Sequence, residues 1–114
     1  MQAGARVATL DAPAGFDAQL EGAVIAHRLG GRFDVIVCFA DSRRALERRL
    51  GALLRAREER GAIWIAWPKQ SSALATDLSD TVVRDIGLAS GLVDNKVCAI
   101  DETWSALRFV ARRS

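Results

Sequence analysis

The sequence predicts an α/β domain of three layers around a mostly parallel sheet, and three observations lead there. Residues 33–40 (FDVIVCFA) and 62–67 (AIWIAW) are continuous apolar runs of strand length, as expected of strands buried on both faces. Each is followed by a segment with helical spacing of its apolar residues, 42–61 and 79–91, so strands and helices alternate as in a βαβ unit. The last two apolar runs, 92–100 and 105–113, are joined only by DETW, a link too short for a parallel crossover, so they form an antiparallel pair. With 114 residues, half of them hydrophobic, the chain reads as one domain spanning 1–114.

In chain order, ARVATLDA (5–12) reads as a first strand ended by PAG, and FDAQLEG (16–22) as one or two helical turns. AVIAHRL (23–29) fits either a short edge strand or a helix continuation; the strand is taken here. After the strand at 33–40, Ser42 is placed as an N-cap, Leu46, Leu50, Leu53 and Leu54 form the inward stripe, and Gly61 is the expected stop. Alternation along 62–67 puts Ile63, Ile65 and Trp67 on one face and Ala62, Trp64 and Ala66 on the other. Trp64, flanked by alanines, is expected in the core beneath a helix, and Trp67 and Trp104 at the rim, partly open to solvent. Pro68 cannot donate to the ladder and ends the strand. After a loop at 68–78, Ser79 caps a helix with Val82, Val83, Ile86 and Ala89 inward, Asp80 in its first turn and Gly91 past its end. The strand order expected from these connections is 2-1-3-4-6-5. An antiparallel last strand inserted beside the fourth resembles the C-terminal half of Rossmann-like methyltransferases, so the expected fold class is Rossmann-like (methyltransferase-like) with a C-terminal antiparallel hairpin.

Composition excludes several function classes. Cys38 and Cys98 lie in apolar runs, outside any CxxC, and His27 is the one histidine, so metal ligands and a His-assisted nucleophile have little to build on. Both cysteines read as structural thiols. The net charge is +2, but residues 42–60 hold seven arginines against three glutamates. No aromatic residue is interleaved there, so a solvated face is preferred to a nucleic-acid surface. No apolar run reaches the length of a membrane span, and the N-terminus lacks the build of a signal peptide, so the expected compartment is the cytoplasm and no membrane partner is expected.

Open parallel sheets bind ligands beyond the carboxyl ends of their strands. There the sequence places Asp11, Asp41, Ser42, Trp67, Lys69, Ser71, Ser72, Asp101 and Trp104, a candidate ligand-binding rim with Lys69 over the crevice. The turn after the first strand, DAPAGF, offers one glycine, Gly15, so a nicotinamide dinucleotide or S-adenosylmethionine is not expected and no cofactor is assigned. PKQSS lacks the glycines of a phosphate-cradling loop.

The segments FDVIVCF, RALERRL and IWIAWPKQSS, and the run from Thr76 to Val110 containing VDNKVCAID and WSAL, resemble a family of short bacterial proteins labelled domain of unknown function three thousand and fifty-two. That family is common in high-GC actinobacteria, which suits the arginine-rich composition. The resemblance implies the fold and strand boundaries above but no catalytic residues. The leading expectation is a non-enzymatic regulatory module that binds a small anionic ligand or a protein, with a homodimer compatible. The alternative is a small enzyme in which Lys69 holds an anionic substrate and Asp41 or Asp101 acts as base. Nucleic-acid binding through residues 42–60 ranks third.

Overall fold

The computed structural model describes residues 5–16, 24–70 and 76–111. Its elements are β1 (Arg6–Leu10), β2 (Val24–Ala26), β3 (Phe33–Phe39), α1 (Arg43–Ala56), β4 (Arg57–Pro68), α2 (Asp80–Ala89), β5 (Leu92–Ala99) and β6 (Trp104–Ala111). They form one six-stranded sheet in the order β2-β1-β3-β4-β6-β5, as expected. The first four strands run parallel, and β6 is antiparallel to both β4 and β5. The segment at 23–29 is therefore a strand, shortened to three residues. The helical turns expected at 16–22 lie, apart from Phe16, outside the described residues.

The handedness of crossovers sets the layers. Passing from β3 to β4 moves in one direction across the sheet, and passing from β1 to β2 moves in the other. Right-handed connections must then lie on opposite faces. Accordingly Leu46 and Leu53 of α1 bury against Ile63, Ile65 and Trp67, joined by Val83 and Ile86 of α2. Phe16, on the β1–β2 connection, meets the other face at Val7, Val37, Phe39, Ala66 and Ala106. The face assignment along β4 holds residue by residue.

Two expectations along β4 do not hold. Helix α1 stops at Ala56, not at Gly61, because Arg57 is already extended (φ −81°, ψ 130°) and faces Phe33 of β3. Val35 next faces Ala62, so residues 58–61 bulge out of the ladder. Gly61 serves that bulge: a Cβ there would lie 2.9 Å from the carbonyl oxygen of Phe33 and 3.0 Å from that of Asp34. Only a residue without a side chain lets the two backbones approach so closely. Arg57 closes the bulge by donating from Nη1 to the carbonyls of Glu58 (2.9 Å), Glu59 (2.8 Å) and Gly61 (3.2 Å).

The burial of the tryptophans is also exchanged. Trp67 is 5% exposed and belongs to the core beneath the helices, whereas Trp64 is half-buried. The physical reason is the layering: the helix face covers the Ile63–Ile65–Trp67 side, and Trp64 points to the side met by Phe16. Trp104 is half-buried and stands edge-on to Phe39, ring centroids 5.0 Å apart.

Candidate functional site

The carboxyl ends of β1, β3 and β4 lie along one edge, and the anticipated rim residues divide there into three groups. The first surrounds a crevice of about 370 Å³ beyond β1 and β2, lined by Thr9, Asp11, Ala12, Pro13, Ala14, Gly15 and His27. Thr9 is a buried polar residue, 2% exposed, on the same side of β1 as Val7. Strict alternation would send Asp11 to that side too. Instead Asp11 has φ +57°, a left-handed conformation that aspartate tolerates better than most residues, and turns toward α1. There its Oδ2 accepts from Nη2 of Arg49 at 2.9 Å. The pair is largely open to solvent and contributes at most about 1 kcal/mol, so its consequence is local: it fixes the carboxylate at the mouth of the crevice.

Cys38 lies beneath this pair at the end of β3, fully buried. Burial pushes the pKa of its thiol up to about 11, opposed by a smaller downward pull from Arg49 and reinforced by a smaller upward push from Asp11. The thiolate that nucleophilic chemistry needs is thus suppressed at neutral pH.

The second group begins α1. Ser42 accepts from the Ala45 N–H at 3.1 Å, and its extended backbone (φ −151°) completes the cap. Asp77, from the loop before α2, accepts from the Arg43 N–H at 2.7 Å. The positive end of this helix therefore already holds a carboxylate from the protein itself. Asp41 is exposed beside it. Ser79 caps α2 in the same manner as Ser42 caps α1, through the Val82 N–H at 3.3 Å.

The third group closes β4 against the β5–β6 turn. Lys69 is half-buried, and its backbone N–H donates to the Thr103 carbonyl at 2.7 Å. Asp101 accepts from the N–H groups of Thr103 (2.8 Å) and Trp104 (2.9 Å), which makes it the keystone of the turn. Its carboxylate is engaged in structure, so assigning it as a catalytic base is unnecessary. Trp67, expected to wall the crevice, is instead a core residue. Ser71 and Ser72 lie outside the described residues.

Among the described residues of the anticipated rim, Asp11 alone lines the crevice. Thr9 and His27 were not anticipated in its lining, nor were Arg49 as the partner of Asp11 and Asp77 at the start of α1. A strand threonine, a lone histidine and a helix arginine carry no mark of a site until the sheet order brings β1, β2 and α1 together. Among the described residues, no three His, Cys, Asp or Glu side chains gather as a metal site, and no helix is long and apolar enough to cross a membrane.

No family model matches the chain, and no curated protein matches it. Solved structures do resemble it. A magnesium protoporphyrin IX methyltransferase from Synechocystis PCC 6803 with bound SAH superposes with a TM-score of 0.67 at 11% identity, over 96% of this chain and 75% of that one. A fibrillarin pre-rRNA processing protein from Methanococcus jannaschii gives 0.67 at 12% identity, over 99% and 69%. A SAM-dependent methyltransferase from Aquifex aeolicus gives 0.65 at 12% identity, over 95% and 82%. At these identities the likeness establishes the methyltransferase-like scaffold and leaves the activity to be argued from the residues.

Proposed function

We propose that the chain is a small-molecule-binding regulatory module that keeps the methyltransferase-like scaffold and its β1–β2 crevice without methyl-transfer chemistry. The observation that carries this reading is the lining of the crevice. A nucleoside cofactor held in such a crevice needs backbone N–H groups free of side-chain obstruction after β1, and an acidic residue after β2 for the ribose hydroxyls. Here the turn carries the Ala12 and Ala14 methyl groups and Pro13, which has no N–H. Its glycine, Gly15, has φ +85° with open space where a Cβ would stand, so the backbone conformation of the turn is what calls for glycine there. The residues after β2 are His27 and Arg28, not an acid. This lining supports a ligand other than S-adenosylmethionine.

A module of this kind is stabilised by its ligand by mass action, about 2.7 kcal/mol at one hundred times the dissociation constant. A thermal-shift screen of small anions and metabolites should therefore find ligands that raise the melting temperature of the full chain, and His27→Ala should abolish the rise. The second reading, methyl transfer, is favoured by the structural neighbours. Calorimetry with S-adenosylmethionine and S-adenosylhomocysteine separates the two. No binding is expected at a dissociation constant of about 100 μM or tighter, near −5.5 kcal/mol. Binding at that level, with transfer of a labelled methyl group, would overturn the proposal.

A further inference from the structure

The arginine-rich segment 42–60 acquires a second meaning at the opposite edge of the sheet, where α1 ends and β4 begins. A cavity of about 630 Å³ opens there, lined by Arg32, Leu54, Arg55, Arg57 and Glu59. Three arginines thus line it with one glutamate, and they come from three places: the β2–β3 loop, the last turn of α1 and the first residue of β4. Elsewhere among the described residues three arginines meet acids, Arg43 with Glu47, Arg49 with Asp11 and Arg84 with Asp94, while others such as Arg44 and Arg48 stand singly on the surface of α1, outside this cavity. Among the described residues, Arg32 and Arg55 have no ion pair or side-chain hydrogen bond.

Local structure explains only part of this concentration. The carbonyl end of α1 carries roughly half a negative charge, which suits Arg55 in its last turn. Arg57 is consumed by the bulge carbonyls through Nη1, yet its Nε is buried with no hydrogen-bond partner. Neither argument accounts for Arg32. After Glu59 and the helix end are counted, positive charge remains in excess in a concave space.

We propose that this cavity is an anion site for a free phosphorylated metabolite carrying two or more phosphoryl groups. Planar guanidinium forks match phosphoryl oxygens in pairs, and Arg32 and Arg55, exposed and without other partners among the described residues, are the two that reach the ligand. Arg57 is a positioning residue, holding the bulge that forms one wall and adding its charge behind it. The volume lies within the range of small-molecule sites and exceeds what a single phosphate needs. The site is separate from the β1–β2 crevice, and its test does not depend on what that crevice binds.

The experiment is isothermal titration of the full chain with pyrophosphate at low ionic strength, repeated with Arg32→Gln, Arg55→Gln and Glu59→Gln. Wild type should bind. Each arginine variant should weaken binding about tenfold or more with an unchanged melting temperature, and Glu59→Gln should tighten it. Affinity should also fall as salt is raised. Absence of binding at about 1 mM pyrophosphate, or binding indifferent to Arg32 and Arg55, would overturn the assignment. So would a short single-stranded oligonucleotide that binds more tightly than pyrophosphate with the same arginine dependence, because the phosphates would then come from a nucleic-acid backbone.

Discussion

Replacing Gly87 with alanine sets two physical effects against each other, and the structure decides which wins. Gly87 lies inside α2, where alanine is favoured over glycine by about 0.8–1 kcal/mol through backbone entropy. Helix propensity alone thus forecasts a more stable protein. But Gly87 is buried against Phe109 of β6, and a Cβ there would stand 2.6 Å from Cζ and 2.7 Å from Cδ1 of that ring, with Cε1 closer still. Phe109 is fully buried between α2 and the sheet, so its ring has no free space to enter and the helix must lift. Overpacking of this kind costs about 1–3 kcal/mol, and here the contact is severe enough to place the cost in the upper half of that range. The expected net change is a loss of about 1–2 kcal/mol, which lowers the melting temperature by roughly 4 °C or more. Urea and thermal unfolding followed by circular dichroism measure it. Gly51→Ala in α1 is the control, since its Cβ would meet only the flexible guanidinium of Arg55, at 3.2 Å, and should gain up to about 1 kcal/mol. Phe109→Leu should be less damaging in the Gly87→Ala background than in wild type, the signature of a shared contact. A Gly87→Ala protein as stable as wild type or more so would refute the close packing of α2 on β6.

The tryptophans offer a second test. Trp67→Ala should cost about 3–5 kcal/mol and Trp64→Ala clearly less, and in single-tryptophan variants iodide should quench Trp64 more than Trp67; the reverse order would invert the layering described here. Cys38 supplies the pH dependence. Its folded thiol stays neutral up to about 11 while an unfolded thiol ionises near 8.5, so between those values the unfolded state binds fewer protons and stability falls as pH rises, by up to about 1.4 kcal/mol per pH unit. Cys38→Ala should flatten the alkaline limb of a pH–stability profile, and an unchanged slope would show that the loss comes from other groups. In the folded protein a thiol reagent should label Cys98 and spare Cys38.

The sequence by itself determined the sheet. Long apolar runs at 33–40 and 62–67, the Ser42 and Ser79 caps and the short DETW link were enough to order six strands, because crossover handedness and hairpin length leave few alternatives. It also determined which residues of 62–67 share a face, since side chains alternate along that regular stretch of β4. Period-two alternation says nothing about how deeply each face is covered, and so the depths of Trp64 and Trp67 depended on where the helices landed. The stop at Ala56 was likewise hidden. Gly61 looks like a helix terminator in sequence, but its role is to let β4 pass close to the carbonyls of β3, a contact made only once those strands pair. The sites were the least legible. Asp11 and Arg49 are 38 positions apart, and Arg32, Arg55 and Arg57 come from three different elements. Each such residue is ordinary alone, and the charge excess and the crevice exist only where the fold brings them together.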